Sequence, residues 1–223
     1  YVDGEWDSDE YVMWAEGKIH EAAVFGENIL LKRRVWTMLG EDRLFIRDIV
    51  ENAAFEPVEH MYLYHVNVGF PIVSKATELL IPSASVTPRD HESRRGLEEC
   101  TIFSEPIGGY NEKVYYHNMN TDDDGCVYAA LVNRTLGEGF GIYLKYKRDE
   151  LPRFVEWKMM GQGTYVVGLE PSNCFVEGRA KERERGTLMY LAPGERREYN
   201  LEIGLLSTRR AIENIEAKIL MSR

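Results

Sequence analysis

Cysteine is scarce and widely spaced in this 223-residue chain. The three cysteines, Cys100, Cys126 and Cys174, include no C-x-x-C pair. An odd, sparse set of this kind argues against both a disulfide framework and a zinc knuckle. We therefore expect the protein to work in a reducing compartment, the cytoplasm, and we predict no metal ligands among these thiols.

Long apolar runs and an excess of positive charge are also missing. The apolar runs are far too short to cross a bilayer. Lys and Arg together number 27 against 37 Asp and Glu, which gives a net charge of −10. Such a charge repels a phosphate backbone unless the basic residues cluster on one face. We therefore predict that neither nucleic acid nor a membrane is a partner.

The remaining composition is that of a globular chain. Apolar residues make up 44% and charged residues 29%, a balance typical of folded domains. A single all-β domain of this length is ordinary, and no repeat, low-complexity tract or linker divides the chain, so we predict one domain over residues 1–223. The opening YVDGEWDSDEYV has no initiator methionine and no apolar leader, and we expect further residues to precede it in the natural protein.

Most of the chain has a hydrophobic period of two. Short runs rich in β-branched and aromatic residues alternate with turn signals such as LGED, TDDDG, LGEGFG and APGE, at intervals of roughly 8 to 15 residues. This spacing is typical of an antiparallel sandwich, and the βαβ alternation of a parallel sheet is absent. The runs include RVWTMLG, RLFIRDIVENAAF, HMYLYHVNVGF, CVYAALVNRT, FGIYLKYKR and TYVVGLEP.

The C-terminal run STRRAIENIEAKILMSR is the exception, because its apolar residues have a helical period. Ile212, Ile215 and Ile219 recur at i, i+3 and i+7, which predicts one apolar helix face. Ser207 or Thr208 is a suitable N-cap. We therefore predict one terminal helix that packs on a sheet.

A long polar connection is predicted over Pro82 to Glu105, the run PSASVTPRDHESRRGLEECTIFSE. No strong helix or strand pattern occurs in it. Connections of this length are uncommon in compact domains and often serve a functional site.

The run LYHVNVGFP places polar residues in what otherwise looks like a buried strand. Successive strand side chains point to opposite faces, so Tyr64, Val66 and Val68 share an apolar face while His65 and Asn67 share the other. A histidine in this setting can act as an acid near neutral pH. The alternative is a half-buried histidine that only bonds a backbone carbonyl.

The run GTYVVGLEPSNC places a carboxylate at the end of a strand. Gly168 and Glu170 share a face, and Pro171 keeps Glu170 extended by excluding the helical region. Sites collect at strand ends and in the loops beyond them. The alternative is a solvated glutamate before a turn, which is the common setting for this residue type.

The run PIGGYNEKVYYH contains Asn111, Glu112 and His117 after two glycines. An aromatic side chain can stack on the C–H groups of a sugar, and an acid can accept hydrogen bonds from its hydroxyl groups. The same letters also fit a simple hairpin turn, so the run alone leaves both interpretations open.

The order of these motifs resembles the galactose mutarotase (aldose 1-epimerase) superfamily. More narrowly, the chain is similar to a poorly characterised bacterial branch of aldose-1-epimerase-like proteins. The resemblance covers nearly the whole chain. It is carried in order by AAVFGEN, RVWTMLGEDRLFIRDIVENAAFEPVEHMYLYHVNVGFP, LLIPSASVTPRD, GGYNEKVYY, FVEWKMMGQGTYVVGLEPSNC and LAPGE.

The resemblance implies an antiparallel β-supersandwich that binds a sugar on a concave face. In this superfamily a glutamate removes the proton of the anomeric hydroxyl and a histidine protonates the ring oxygen, without a cofactor. By motif, His65 matches the acid and Glu170 matches the base. The resemblance therefore implies an isomerase, a mutarotase or epimerase acting on a sugar or sugar acid.

Five further residues are predicted to bind the substrate. Asn67 lies on the polar face beside His65. Glu112 or Asn111 stands where typical members carry an aspartate that grips sugar hydroxyls. Arg89 and Lys158 are cations near these stretches that could hold an acidic group, although a loop arginine and a surface lysine fit them equally.

Two departures from the family pattern leave alternatives open. The residues after His65 differ from the usual ones, and the upstream arginine and histidine of typical members have no counterpart, so we expect N-terminal strands of the full fold to be lacking. A non-catalytic carbohydrate-binding module, or a domain of a larger carbohydrate-active enzyme, is the competing interpretation. A lyase or hydrolase is a third, because fold does not fix chemistry. The sequence leaves open whether the molecule is a monomer or a homodimer.

Overall fold

The structure, a computed structural model, describes residues 1–222, and antiparallel strands make up most of it. The predicted all-β class with a C-terminal helix is confirmed. The helices are α1 (His91–Arg95), α2 (Arg179–Arg185) and α3 (Arg209–Met221). The strands are β1 (Val2–Asp7), β2 (Glu10–Ala22), β3 (Asn28–Met38), β4 (Arg43–Asn52), β5 (Val58–His60), β6 (Val66–Gly69), β7 (Thr77–Leu80), β8 (Ser83–Pro88), β9 (Lys113–Met119), β10 (Cys126–Asn133), β11 (Phe140–Lys147), β12 (Arg153–Gly161), β13 (Thr164–Ser172), β14 (Met189–Leu191) and β15 (Arg196–Leu206).

The described residues form two compact units. Unit 1 combines Tyr1–Tyr62 with Val176–Ile203, and unit 2 combines Leu63–Phe175 with the chain from Gly204 onward. Strand β15 contributes its first residues to unit 1 and its last to unit 2. The prediction of one domain over the whole chain stays a prediction.

Unit 1 is an antiparallel sheet in the order β1-β2-β3-β4, followed by the first part of β15, with β5 and β14 as a separate pair. Its buried polar residues include Asp48 and His60. Arg33 donates two hydrogen bonds to the fully buried Asp48, at 2.8 and 2.7 Å, and Tyr62 donates a third to it. His60 Nε2 lies 2.6 Å from Tyr199 Oη. These buried polar side chains are therefore paired, as burial requires.

Unit 2 contains a five-stranded sheet in the order β6-β13-β12-β9-β8 and a second group ordered β11-β10-β7. Phe154 of β12 stacks in parallel on Tyr146 of β11, with ring centroids 6.4 Å apart. The two sheets therefore pack face to face and bury fully the alternate residues Val127, Ala129 and Leu131 of β10.

Helix α3 covers the other side of β10. Its buried residues Ile212, Ile215 and Ile219 join a core cluster with the outward alternate residues of β10, so the predicted apolar face is confirmed. The predicted N-cap resolves to Thr208, whose hydroxyl accepts a hydrogen bond from the Ala211 amide at 3.2 Å. This bond satisfies one of the free amides of the first helical turn.

Two local predictions were wrong. The polar segment 82–105 contains β8 and α1 rather than an irregular connection. Asp90 caps α1 by accepting from the Ser93 amide at 2.8 Å, a local bond that a search for apolar periodicity does not detect. The run HMYLYHVNVGF also breaks, because β5 ends at His60 and pairs with β14, while β6 begins at Val66 and pairs with β13.

Candidate functional site

One face of the five-stranded sheet in unit 2 collects the predicted acid and base. Directly opposed residues of antiparallel strands point to the same side, and Gly168 of β13 lies opposite both Asn67 and Trp157. Glu170, two residues further along β13, lies opposite Val155 of β12. We call this side the site face. Phe154 and its alternate neighbours point the other way, into the interior of unit 2.

His65 and Glu170 meet on the site face. His65 Nε2 lies 3.0 Å from Glu170 Oε1, and the side chains are 46% and 3% exposed. The approach is close but is not aligned as a hydrogen bond, and Glu170 Oε1 has no hydrogen-bond partner among residues 1–222. A buried carboxylate oxygen without such a bond is costly. The pair therefore places a buried carboxylate directly against a solvent-accessible imidazole.

The carboxyl group of Glu170 has a strongly shifted pKa. Burial, and to a smaller extent the nearby charge of Glu112, together raise the pKa of Glu170 from 4.5 to about 7. Burial acts this way because it penalises the charged form, and a like charge has the same effect. Glu170 therefore exchanges its proton near neutral pH, where a catalytic base or acid is most effective.

Gly168 provides the space in which the pair meets. A Cβ atom at this position would lie 2.6 Å from Glu170 Oε1 and 3.1 Å from His65 Cε1. The first distance is far shorter than any normal contact, so the carboxylate would have to move. Glycine inside a strand often marks such a close approach.

Trp157 is the central aromatic residue of the site face. Its indole N–H donates to Glu112 Oε2 at 2.8 Å, and its ring and the imidazole of His65 meet edge to face with centroids 5.4 Å apart. Arg89 Nη2 donates to the other Glu112 oxygen at 2.9 Å, while Arg89 Nε donates to Asp90. The bonds from Trp157 and then Arg89 lower the pKa of Glu112. Glu112 is thus an ionised group that fixes the orientation of the indole.

The structure brings four predicted site residues together and separates the others. His65, Glu170, Glu112 and Arg89 form the linked group just described. Asn67 is exposed on the site face opposite Gly168. Their predicted roles in binding and catalysis stay predictions.

Asn111 and Lys158 form no hydrogen bond with this group in residues 1–222. Asn111 is exposed in the segment before β9. Lys158 is buried on the opposite side of β12, where its ammonium group donates to the carbonyls of Glu99, Cys100 and Ile102. Burial lowers the pKa of Lys158. The sequence could not reveal this, because the carbonyls come from a distant loop whose position depends on tertiary packing.

His117, from the third sequence motif, also lies on the interior side of the sheet. Its ring nitrogens lie 3.1 Å from Glu156 Oε2 and 3.1 Å from Ser83 Oγ, and both ionisable side chains are buried. His117 is therefore part of a buried polar group under the sheet, on the opposite side from His65.

Sequence reasoning missed Trp157 and Tyr116 as residues of the site face. Tyr116 of β9 and Glu170 of β13 both lie opposite Val155 of β12, so they share one row across the site face with a strand between them. A signal for Trp157 was present, because β12 and β13 form a hairpin with a two-residue loop between Gly161 and Thr164. Counting outward from this turn pairs Trp157 with Gly168, since loop length fixes hairpin register.

Two negative observations apply to the part of the chain that the structure describes. No group of three His, Cys, Asp or Glu side chains in residues 1–222 is arranged to hold a metal ion. No helix in the same residues is long and apolar enough to cross a membrane.

The comparisons with known proteins agree with this architecture. A family model described as "Domain of unknown function (DUF4432)" matches residues 2–205. A "putative aldose 1-epimerase" from Klebsiella pneumoniae has a solved structure that superposes with a TM-score of 0.94 at 24% identity, covering 99% of this chain and 57% of that one. No curated protein sequence matches the chain significantly.

More distant solved structures show the same fold. A galactose mutarotase-like protein from Clostridium acetobutylicum has a TM-score of 0.62 at 14% identity, with 92% of this chain and 65% of that chain covered. A galactose mutarotase related enzyme from Lactobacillus acidophilus has a TM-score of 0.60 at 13% identity, with 93% and 71% covered. At these identities the likeness establishes a galactose mutarotase-like fold, as predicted. The chain spans 57% of the Klebsiella protein's length.

Proposed function

The chain belongs to the DUF4432 family, a family of unknown function, and from this premise we propose that it is a carbohydrate mutarotase or epimerase. It interconverts the anomers of a sugar or sugar acid by acid–base opening and closure of the ring. The observation that carries the proposal is the contact between His65 Nε2 and the buried Glu170 Oε1 at 3.0 Å. The solved structures described as aldose 1-epimerases and galactose mutarotase-like proteins support the same reaction class.

The proposed reaction needs one base and one acid at a single pH. Glu170 takes the proton of the anomeric hydroxyl while the protonated His65 gives its proton to the ring oxygen, and the bond between the anomeric carbon and the ring oxygen breaks. Rotation of the resulting aldehyde, followed by the reverse transfers, closes the ring with the other configuration. Proton exchange near neutral pH suits Glu170 to both directions.

Trp157 supports sugar binding next to the acid–base pair. Its ring lies beside His65, and its orientation is held by Glu112. An aromatic face can pack against the C–H groups of a pyranose, which leaves the hydroxyl groups for polar partners. Asn67 is the nearest exposed amide on the same face in the strand register.

The test is anomer exchange by NMR across neutral and acidic sugars. The native chain is compared with Glu170→Gln and His65→Asn. Each variant has a control that carries the same substitution at an exposed residue, Glu138→Gln or His91→Asn. We expect one sugar to exchange faster with the native chain. Loss of general acid or base catalysis should lower the rate by at least about 100-fold in the site variants, while the controls keep it.

One result would contradict the proposed reaction. If no sugar exchanges faster but one still shows shifted signals on binding, the catalytic proposal is wrong and the chain is a carbohydrate-binding module. Circular dichroism of each variant separates loss of activity from loss of fold.

A further inference from the structure

Arg153 is a cation on the site face that sequence reasoning did not identify. It begins β12 and lies opposite Ser172, two residues before Val155, which is opposite Glu170. Residues two apart on a strand share a face. Diagonal neighbours on adjacent strands are about 7–8 Å apart, so Arg153 is one step from the carboxylate of the acid–base pair.

The guanidinium of Arg153 is held in place by aromatic rings. It lies 3.9 Å from the centroid of the Phe175 ring, and Phe175 in turn meets Tyr116 edge to face at 4.7 Å. The side chain is half-buried. Stacking on an aromatic face restrains the planar guanidinium without using any of its hydrogen-bond donors.

Those donors lack an anionic acceptor among the residues that the structure describes. Arg153 Nε is buried without a hydrogen-bond partner, and no carboxylate among residues 1–222 forms an ion pair with the group. Arg89, the other arginine near the site, is bonded to both Asp90 and Glu112. Leaving a partly buried cation unpaired costs free energy, and a bound anion would remove that cost.

We propose that Arg153 binds an anionic substituent, a carboxylate or a phosphate, on the sugar whose anomeric carbon lies at His65 and Glu170. This inference rests on the proposed function and deepens it by naming an acidic sugar as the substrate. The fork of the guanidinium matches two oxygens of either group. Glu170 and Arg153 are diagonal neighbours with a backbone separation of about 7–8 Å, which a single hexose can span. The carboxylates of Glu170 and Glu112 disfavour an anion elsewhere on this face.

The experiment measures binding and turnover separately for matched sugar pairs. Binding of D-glucuronate and glucose 6-phosphate is compared with D-glucose, and D-galacturonate with D-galactose, by titration calorimetry at fixed ionic strength. Anomer exchange is measured by NMR for the same sugars. The proteins are the native chain, Arg153→Gln, Arg153→Lys and the exposed control Arg210→Gln.

We expect at least one acidic sugar to bind more tightly than its neutral partner. The free energy of one hydrogen bond to a charged group corresponds to about 10- to 100-fold in affinity. Arg153→Gln should abolish the preference, Arg153→Lys should retain part of it, and Arg210→Gln should leave it unchanged. Carboxylate and phosphate are distinguished by which sugars show the preference.

Three results would overturn the inference: equal binding within every pair, no binding of any sugar, or a preference that survives Arg153→Gln with the fold intact. Failure of the proposed function looks different, because acidic sugars would then bind through Arg153 while no anomer exchange is accelerated. Arg153→Lys keeps the test valid if Arg153→Gln does not fold.

Discussion

At the scale of single residues, the site depends on the absence of a side chain at Gly168. We predict that Gly168→Ala lowers the anomer-exchange rate by about 100-fold, the usual size of a general acid–base contribution. The added methyl would lie 2.6 Å from Glu170 Oε1 and would displace it from His65. The control is Gly17→Ala, also within a strand, where a Cβ meets nothing within 4 Å. Equal rates in the two variants would contradict the proposed geometry.

Glu170 also makes the stability of the protein depend on pH. Its folded-state pKa of about 7 lies above the ordinary value of 4.5, so the folded state binds more protons in this window. Stability is then fully present below pH 4.5 and is lost as the pH rises towards 7.

We predict that Glu170→Gln removes this loss, which is about 2 kcal/mol after allowance for partial solvent screening. Urea denaturation of the native chain and of Glu170→Gln, across pH 4.5 to 7, measures the difference between their midpoints. A difference that stays constant across that window would mean that Glu170 titrates as an ordinary exposed carboxyl group.

At the scale of elements, periodicity was enough for several of the longer segments. Strands β3, β4, β10, β11 and β13 follow from alternation and helix α3 from a 3.6-residue repeat, and α3 begins where its cap predicts, whereas β1 and β2 were not predicted. Short elements were missed because local bonds decide them. Helix α1 depends on the Asp90 cap, and helix α2 covers the charged run KERERG, which has no apolar stripe to detect.

The N-cap of α3 gives a prediction at this scale. Thr208→Ala should destabilise unit 2 by about 1 kcal/mol, because it removes the hydroxyl that accepts from the Ala211 amide. Thr208→Ser should restore most of the loss. Chemical denaturation monitored by far-UV circular dichroism measures both. Equal destabilisation by the two substitutions would show that the cap bond contributes nothing.

At the scale of the whole molecule, the sequence indicated the fold class. It also singled out His65 and Glu170, which the structure places 3.0 Å apart and whose roles stay predictions. The β alternation and the order of motifs were sufficient for these. Contacts between distant segments were not predictable in the same way. The carbonyls that hold Lys158 and the ring that holds Arg153 come from loops, and only tertiary packing brings them to the sheet.

His60 in unit 1 and Glu170 in unit 2 make stability depend on pH in opposite directions. In unit 1, the pKa of His60 is lowered from 6.5 to about 4, mainly by burial and to a smaller extent by the charge of Arg197. The unfolded state therefore binds more protons between these values, and stability is lost as the pH falls from 6.5 towards 4. Glu170 in unit 2 has the opposite effect over most of this range.

We predict that His60→Gln reduces the acid sensitivity of unit 1, with His20→Gln as the exposed control. Hydrogen exchange of the β4 and β5 amides, measured across pH 4 to 6.5, reports unit 1 separately from unit 2. Correction for the intrinsic pH dependence of exchange is made with the control. An unchanged profile in His60→Gln would assign the acid sensitivity to another group.

The position of Trp157 also has an optical consequence. The chain has four tryptophans, and the other three, Trp6, Trp14 and Trp36, belong to unit 1. All four lie within the described residues 1–222, and among them Trp157 alone packs edge to face with His65 and has a carboxylate on its N–H. A protonated imidazole quenches indole emission. The contribution of Trp157 to the fluorescence therefore reports the charge of His65 and the arrival of a sugar, and no added label is needed.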